Sequence, residues 1–531
     1  MLKLSLWFLL MLLFRRGRGG VANGRTLQMS FSTSPRFTAY IALGSNLGDR
    51  CGALHLAVKA LRRLGSLQAT SFLYESLPMY VTDQPRFLNA VVQLGTELPP
   101  EQLLSELQAV EIEVGRTKSF RNGPRLLDLD VLFCTVASPG ASQFSSLVVD
   151  TPALQLPHPR IHERAFVLEP LFDLNPSLLI PLPGGKGYKT TRQLLAELPW
   201  AERNALRRVL PFGYHGPSDE RLTRLAPLAS SGCSGDRASS QDSLVHRPRD
   251  CPVLVQGILN LTPDSFSDGG AFGGSVDAAV QAALTMLREG ADIIDVGGES
   301  TRPMAIPVPP EEEQRRILPV ISQLAETCSA LGLPLAISVD TRNADTARLA
   351  LQAGASIIND VSAGRHDKRM IQLAAEHCVP LVMMHSRGTP QTMDSVPHTA
   401  YDNLIHDVCG ELEERLATAD EAGLPRWLQV VDPGLGFAKT AEQNRQLLQP
   451  DSMSLINSRL GARPILIGAS RKRFLASAST PNAAPKDRDD ATSGVNALAI
   501  VGGATILRVH NVAAARRVAD AVHSVLSAAK E

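Results

Sequence analysis

The 531-residue sequence has no excess of either charge, because 53 basic residues balance 53 acidic ones. Such a chain has no overall field that would recruit nucleic acid or an anionic membrane, so any binding of anions must be local. The seven cysteines never form a C-x-x-C pair, which excludes a zinc ribbon. Their scatter and odd number also argue against a disulfide framework. No Walker loop occurs, which excludes a P-loop kinase.

Acidic residues are absent before Asp49, whereas basic residues are frequent there. An apolar run over residues 4–14 is shorter than the roughly 20 residues that a membrane span needs. A secretory signal is disfavoured because the arginines follow the apolar core, while the Arg- and Ser-rich residues 15–36 are typical of a transit peptide. We therefore expect residues 1–37 to be a mitochondrial targeting segment, with a plastid address or a misassigned start and cytosolic location as alternatives.

The length argues for two or three domains. Residues 213–250 are rich in Gly, Ser, Pro and alternating charge and lack apolar periodicity, which is the composition of a flexible linker. We predict one folded domain over residues 38–212 and a second over residues 251–531.

The second domain alternates short apolar runs with amphipathic helical patterns. The predicted strands are Val253–Leu259, Asp292–Val296, Pro334–Val339, Ser356–Ile358, Pro380–Met384, Leu428–Val431, Pro464–Ile467 and Thr505–Val509. Eight such units over about 280 residues suggest an α/β TIM (β/α)₈ barrel, with a doubly wound open sheet as the alternative.

Polar residues follow every one of these strands and decide between the two folds. They are Asn260, Asp295 through Arg302, Asp340, Asn359 with Asp360, His385, Asp432, Ser470 through Lys472, and Arg508 with His510. An open sheet would concentrate such groups at one switch point, whereas a barrel builds its site from all its strand ends. The pattern therefore favours the barrel. His385 is as compatible with a buried structural histidine as with a catalytic one, and it is not assigned a role.

The first domain has the order β-α-β-β-α-β, which is typical of an α+β ferredoxin-like fold with its helices on one face. Asp128 and Asp130 lie two apart on a predicted strand, so both carboxylates point from the same face. A pair of like charges this close favours a hard cation such as Mg²⁺, although a solvated edge strand would show the same pattern.

Four ordered motifs carry a resemblance in this domain. They are GSNLGDR at 44–50, DQPRFLN at 83–89, GPRLLDLD at 123–130 and PHPR at 157–160. Together they resemble 6-hydroxymethyl-7,8-dihydropterin pyrophosphokinase, which transfers diphosphate from ATP to the pterin and releases AMP. The sequence departs from bacterial members at Asn122, where they usually have Trp, and in an insertion near Ser138–Val148.

The resemblance implies a role for each matching residue. It places Mg²⁺ on Asp128 and Asp130, the pterin against Phe87, Asn89 and Phe166, and ATP against Gln108, Glu111, Arg116, Arg125, His158 and Arg164. Arg116 and Arg125 would also be catalytic, stabilising charge on the transferring group.

Seven motifs carry a second resemblance, in the predicted barrel. They are GILNLTPDSFSDGG at 257–270, DVGGESTRP at 295–303, VDT at 339–341, IIND at 357–360, DPGLGF at 432–437, SRK at 470–472 and RVH at 508–510. This region resembles dihydropteroate synthase, which joins the pterin diphosphate to p-aminobenzoate. The chain would thus be a bifunctional folate-synthesis enzyme. Nothing before Ala39 is expected to encode a third, aldolase activity.

The barrel residues suit these substrates chemically. Carboxylates and amides at Asp340, Asn359 and Asp432 can match the N–H groups of a pterin, and Lys472 can face its carbonyl oxygen. The remaining implied roles are diphosphate or p-aminobenzoate contacts at Thr301, Arg302, Ser470, Arg471, Arg508 and His510, and an Mg²⁺ ligand at Asn260. Lys472, Arg508 and His510 would be catalytic.

Two other interpretations remain open at the level of sequence. One is a pterin-binding methyltransferase on the same barrel, and the other is a non-catalytic binding role for the first domain. We expect the substrates to be ATP, the hydroxymethylpterin and p-aminobenzoate, with no nucleic acid or membrane as partner. We also expect a homo-oligomer formed through the barrel domain.

Overall fold

A computed structural model describes most of the chain. The described residues are 36–116, 120, 123–136, 145–215, 221–227, 253–262, 275–300, 302, 304–333, 335–476 and 482–528. The predictions for the targeting segment, Asn122, Thr301 and most of the 138–148 insertion fall outside them. Among the helices described, none is both long and apolar enough to cross a membrane.

The first domain is built on a mainly antiparallel sheet. Its elements are β1 (Phe37–Ser45), α1 (Arg50–Leu64), β2 (Ser66–Thr70), β3 (Leu73–Ser76), β4 (Phe87–Thr96), α2 (Pro100–Val114), β5 (Asp128–Val136), β6 (Ser145–Ser146), β7 (Val149–Asp150), β8 (Gln155–Leu156), α3 (Ala165–Leu174), β9 (Leu179–Pro181), β10 (Tyr188–Thr190), α4 (Thr191–Glu197), α5 (Trp200–Asn204), β11 (Arg207–His215) and β12 (Arg221–Pro227).

Strand β1 is central, with antiparallel neighbours β4 and β5. Alternation along β1 separates two cores, because Ile41 packs on the side of α1 and α2 while Tyr40 packs on the side of α3 and α4. The predicted β-α-β-β-α-β order is present, with the second predicted strand divided into β2 and β3. Helices α3 and α4 cover the second face of the sheet, although helices were predicted on one face alone.

The sheet of the first domain extends into the segment predicted as a linker. Strand β11 pairs with β3 and with β12, and these two strands occupy part of residues 213–250. The Gly-, Ser- and Pro-rich composition of this segment did not reveal the strands, which are recognised by their pairing with each other and with β3.

The second domain alternates strands and helices throughout. Its elements are β13 (Leu254–Asn260), α6 (Val276–Arg288), β14 (Ile293–Gly297), α7 (Pro310–Leu331), β15 (Ala336–Asp340), α8 (Ala344–Ala353), β16 (Ile357–Asp360), α9 (Arg369–His377), β17 (Leu381–Met384), α10 (Val396–Thr399), α11 (Leu404–Glu421), β18 (Gln429–Asp432), α12 (Ala441–Leu447), α13 (Pro450–Arg459), β19 (Leu466–Ile467), α14 (Asp489–Val501), β20 (Ile506–Val509) and α15 (Val512–Ala528).

The eight strands are parallel in the order β18-β17-β16-β15-β14-β13-β20-β19. A parallel bridge between Val431 and Ile465 joins the two ends of this order, so the sheet closes. The prediction of a TIM barrel rather than an open sheet is therefore confirmed. Closure brings all eight carboxyl ends to one rim, where the polar residues that follow the strands can meet.

The opposite, amino-terminal end of the barrel is closed by strand β11 of the first domain. Leu210 and Phe212, which are 0% and 3% exposed, form one apolar cluster with a residue near the start of every barrel strand. These barrel residues are Leu254, Ile293, Ala336, Ile357, Val382, Val430, Leu466 and Ile506. We call Leu210 and Phe212 the floor plug.

Polar contacts at the same end connect the two domains further. Trp427 donates its indole N–H to His55 Nε2 at 3.0 Å, and the backbone N–H of Arg426 donates to Thr70 Oγ1 at 2.7 Å. The buried Arg208 side chain donates to the Ala462 carbonyl. The first domain therefore docks on the end of the barrel away from the strand exits.

Candidate active sites

In the first domain, three neighbouring strands bring the predicted pterin and metal residues together. Gly44 on β1 pairs with Asn89 on β4 and with Asp128 on β5. A Cβ at Gly44 would lie 3.8 Å from both the Asn89 and the Asp128 side chains, so the glycine leaves an open floor between them. Asn89 is buried and donates to Tyr74 O and Ser76 Oγ, which fixes its amide. Phe87 begins the same strand and is half-buried.

The carboxylate pair of β5 lies beside two guanidinium groups and one further carboxylate. Arg125 is 2.8 Å and Arg116 is 3.2 Å from Asp128 Oδ1, and Arg116 also pairs with Glu111. Glu111 accepts from the backbone N–H of Leu129. Burial, followed by the charge of Asp128, raises the pKa of Asp130 to about 6. Two hard carboxylates that face the same side of one strand fit a divalent cation between them.

The predicted phosphate-binding residues lie beside this pair. Burial and then Arg164 lower the pKa of His158 to about 4, so the imidazole is neutral near pH 7. Arg164 stacks over Phe166, with its guanidinium carbon 5.6 Å from the ring centroid. Gln108 is exposed on α2.

At the rim of the barrel, Arg508 organises three strand ends. Its Nε donates to Asp295 Oδ2 and its Nη2 to Asp340 Oδ2, each at 2.6 Å. Asn359 donates to the same Asp295 oxygen at 3.0 Å. Burial raises the pKa of Asp340, while Arg508 opposes this effect. Predicted pterin residues from β15 and β16 are thereby held around one guanidinium.

Lys472 and Asp432 form the other side of this polar group. Burial, and secondarily Arg508, lowers the pKa of Lys472 to about 8 against the attraction of Asp432. Burial also raises the pKa of Asp432, and Lys472 opposes it. The Lys472 ammonium donates to the Leu435 carbonyl and lies 4.8 Å from the centroid of the Phe437 ring. The rim thus offers carboxylate and amide acceptors opposite one lysine.

A second polar group adjoins the first. Ser470 Oγ lies 2.9 Å from His510 Nδ1 and accepts from the backbone N–H of His510. Arg471 makes a bidentate pair with Asp489 at 2.7 and 2.9 Å. Burial, then Arg471, lowers the pKa of His510 to about 3, so His510 acts here as a neutral imidazole. Arg302 is exposed, but its charge also acts on His510.

Asn260 ends β13, opposite Gly297 of β14. It is half-buried at the same rim, and its carboxamide oxygen is a hard donor that suits Mg²⁺. Within the described residues, no group of three or more His, Cys, Asp or Glu side chains forms a metal site by itself.

Comparison with known proteins assigns a family to each of the two domains. Residues 40–176 match the family model of 7,8-dihydro-6-hydroxymethylpterin-pyrophosphokinase, and residues 256–510 match that of the pterin binding enzymes. The mitochondrial folate synthesis bifunctional protein of Pisum sativum is 41% identical over 479 residues, covering 89% of this chain and 86% of that one. The chain belongs to the family of bifunctional folate-synthesis proteins.

Other family relatives extend this likeness. The mitochondrial protein of Arabidopsis thaliana is 39% identical, over 91% of this chain and 82% of its own length. A crystal structure of HPPK-DHPS from Plasmodium falciparum with pteroate has a TM-score of 0.68 at 21% identity, over 93% of this chain and 98% of that chain. This structural likeness shows that the two-domain fold is shared.

Sequence reasoning missed three residues that organise the sites of this family member. Asp295 anchors both Arg508 and Asn359, yet it lies within the strand segment IIDVG and was grouped only with the residues that follow it. Asn46 accepts from the backbone of Arg125 and donates to Pro85 O, which connects three of the quoted motifs. Tyr80 accepts from Arg164, and no motif contained it. Of these three residues, only Asp295 could have been found from the sequence, because an aspartate inside an otherwise apolar strand is unusual.

Proposed function

We propose that the chain catalyses two consecutive transfers, so that the product of the first domain is the substrate of the barrel. In the first, the hydroxymethyl oxygen of 6-hydroxymethyl-7,8-dihydropterin attacks the β-phosphorus of ATP, and AMP leaves. In the second, the C–O bond to the diphosphate breaks and the aniline nitrogen of p-aminobenzoate forms the new C–N bond. The observation that carries this proposal is the rim group around Arg508, together with the 41% identity to a folate-synthesis protein.

In the first domain, the roles follow from charge and position. Asp128 and Asp130 would hold Mg²⁺, which supplies charge neutralisation for the phosphates when it is bound. Arg116 and Arg125 lie within 3.2 Å of Asp128, so they can stabilise negative charge on the transferring group. Asn89 would orient the pterin with its fixed amide. ATP as the donor is part of this proposal.

In the barrel, Asp340, Asn359 and Asp432 would accept hydrogen bonds from the pterin, and Lys472 would donate to its carbonyl oxygen. Arg508 presents a permanent positive charge beside the departing diphosphate, and Ser470 and Arg471 would border p-aminobenzoate. Asn260 would hold the Mg²⁺ that accompanies the diphosphate. These assignments rest on the position of each residue at the barrel rim.

A paired-variant experiment tests the two reactions separately. The full chain is given the hydroxymethylpterin, ATP, Mg²⁺ and p-aminobenzoate, and AMP and dihydropteroate are measured. Asp128→Ala should stop AMP release but leave dihydropteroate formation from supplied pterin diphosphate intact. Asp432→Ala should do the reverse. A folded wild-type chain that forms no dihydropteroate would refute the proposal, and methyl transfer to cobalamin would support the methyltransferase alternative.

The location and assembly of the protein are further parts of the proposal. The relatives from pea and Arabidopsis are named mitochondrial, and the acid-free residues 1–37 fit import into that organelle. A fluorescent protein fused to the C-terminus should therefore co-localise with a mitochondrial marker, and removal of residues 1–35 should abolish this co-localisation.

We also propose a homo-oligomer through the barrel, which light scattering of the purified chain would test.

A further inference from the structure

The loop over residues 434–438 follows strand β18 and has a demanding backbone. Gly434, Gly436 and Ala438 all have left-handed φ values, of 72°, 76° and 49°. A Cβ on Gly434 would lie 1.8 Å from the His385 carbonyl oxygen, so the loop is tightly packed against β17. Alanine in this conformation carries a cost that the surroundings must offset. The loop therefore needs groups that hold it.

Lys439 is one such group, and it lies inside the protein. Its side chain is 7% exposed, and its ammonium lies 2.9 Å from His385 Nδ1 and 3.0 Å from each of the Gly434 and Phe437 carbonyl oxygens. Burial lowers the pKa of Lys439 to about 7, against the attraction of Asp432, and in its protonated form the ammonium has three hydrogens and no acceptor. All three are used here, two of them on the loop itself, so the lysine holds both ends of the turn.

The third contact is fixed by a chain of charged groups behind His385. Burial, and then Lys439, lowers the pKa of His385 to about 3, so the ring is neutral. Its Nε2 lies 3.2 Å from Glu411 Oε2, and Glu411 pairs with Arg387 at 2.6 Å. The carboxylate favours the tautomer with its proton on Nε2, which leaves Nδ1 as an acceptor for Lys439.

The same chain returns to the loop at its far end. Arg387 stacks over Tyr401, with its guanidinium carbon 3.9 Å from the ring centroid, and the Tyr401 hydroxyl donates to the Ala438 carbonyl at 2.9 Å. The strained alanine is thus held by a hydrogen bond on one side and by its neighbour Lys439 on the other.

The loop in turn contacts two of the predicted pterin residues of this rim, Asp432 and Lys472. The backbone N–H of Gly434 donates to Asp432 Oδ1 at 2.7 Å, and the Lys472 ammonium donates to the Leu435 carbonyl. A Cβ on Gly436 would lie 2.8 Å from Lys472 Cδ, so the loop also limits where that lysine can lie. A change in the shape of the loop would therefore displace both Asp432 and Lys472, which are predicted to contact the pterin.

We propose that Lys439 is a positioning residue of the barrel site, whose ammonium holds the 434–438 loop in the shape that orients Asp432 and Lys472 toward the pterin. This inference rests on the proposed dihydropteroate reaction. Lys439 itself is directed at backbone and His385 rather than at substrate, so its effect should be on binding of the pterin substrate and not on that of p-aminobenzoate.

The test is steady-state kinetics of the full chain with supplied pterin diphosphate and p-aminobenzoate. Lys439→Met keeps the length of the side chain and removes the donors. We expect KM for the pterin diphosphate to rise at least about tenfold, as a displacement of a positioned group would cause. KM for p-aminobenzoate should stay within about twofold of wild type, and AMP release by the first domain should be unchanged. Lys368→Met, on an exposed lysine, is the matched control.

A second pair of variants keeps the test decisive if Lys439→Met does not fold. His385→Gln can still accept from Lys439 and donate to Glu411, and it should retain a near wild-type KM for the pterin substrate. His385→Leu cannot, and its KM should rise as for Lys439→Met. Unchanged pterin KM in His385→Leu, or in Lys439→Met where that variant folds, would overturn the inference, and so would equal rises of KM for both substrates. An inactive wild-type barrel would instead refute the proposed function.

Discussion

Truncation of the floor plug by Leu210→Ala should destabilise the barrel, although Leu210 belongs to the first domain. The side chain is fully buried and packs in a single cluster with the first layer of all eight barrel strands. Burial of a leucine contributes about 1.5–3 kcal/mol, and the cavity left by its removal adds to the loss. We therefore expect the free energy of unfolding to fall by about 3 kcal/mol, within the range of 2–5 kcal/mol for such substitutions.

Trp427 provides a local signal for this experiment. It is 1% exposed at the contact between the domains, whereas Trp200 is 74% exposed. The chain has three tryptophans, so in a Trp7→Phe, Trp200→Phe background the emission reports on Trp427 alone, and thermal or urea unfolding can be followed by its red shift. A loss of about 3 kcal/mol corresponds to a decrease in Tm of about 6–12 °C for a domain of this size.

Leu56→Ala is the matched control, because Leu56 is also a leucine of the first domain but is 54% exposed. Exposed substitutions usually change stability by less than about 0.5 kcal/mol. If Leu210→Ala lowers the transition by no more than Leu56→Ala does, the floor plug does not support the barrel and the reasoning is wrong.

Four further outcomes are expected. Arg508→Lys should lower kcat/KM for the pterin diphosphate at least about hundredfold, because an ammonium cannot replace the paired contacts to Asp295 and Asp340. Since burial lowers the pKa of Lys472 to about 8, affinity for the pterin diphosphate should decrease as pH rises through 8, and Lys472→Met should lose this dependence. The same lowered pKa makes stability increase above pH 8, as neutralisation relieves the buried charge. Chelation by EDTA should stop AMP release, and added Mg²⁺ should restore it.

The architecture of the barrel could be predicted because its signal is repeated. Each strand is a short apolar run and each is followed by a polar residue, so eight weak indications agree. The rim residues Asp340, Asn359 and Asp432 are therefore where the sequence places them. What the sequence could not supply is how they pair, since Arg508 meets Asp295 across 213 positions of the chain.

The positions that sequence reasoning missed depend on partners far along the chain. Lys439 follows a glycine-rich turn and has no periodic signal, and its role is visible only beside His385, 54 positions away. Strand β11 was not predicted either. Its apolar residues Leu210 and Phe212 have no periodic signal of their own, and their role is visible only against the barrel residues that pack on them.

The position of the floor plug has a consequence for how the two reactions are connected. Leu210 and Phe212 occupy the amino-terminal end of the barrel, and Arg208 and Trp427 make their interdomain contacts at that same end. The rim that carries Arg508, Asp432 and Lys472 is at the opposite end, where the strands terminate. The packed interior of a TIM barrel is not a passage. The pterin diphosphate made by the first domain must therefore travel around the outside of the barrel to reach the second site, so covalent fusion keeps the two enzymes close without giving them a common internal channel.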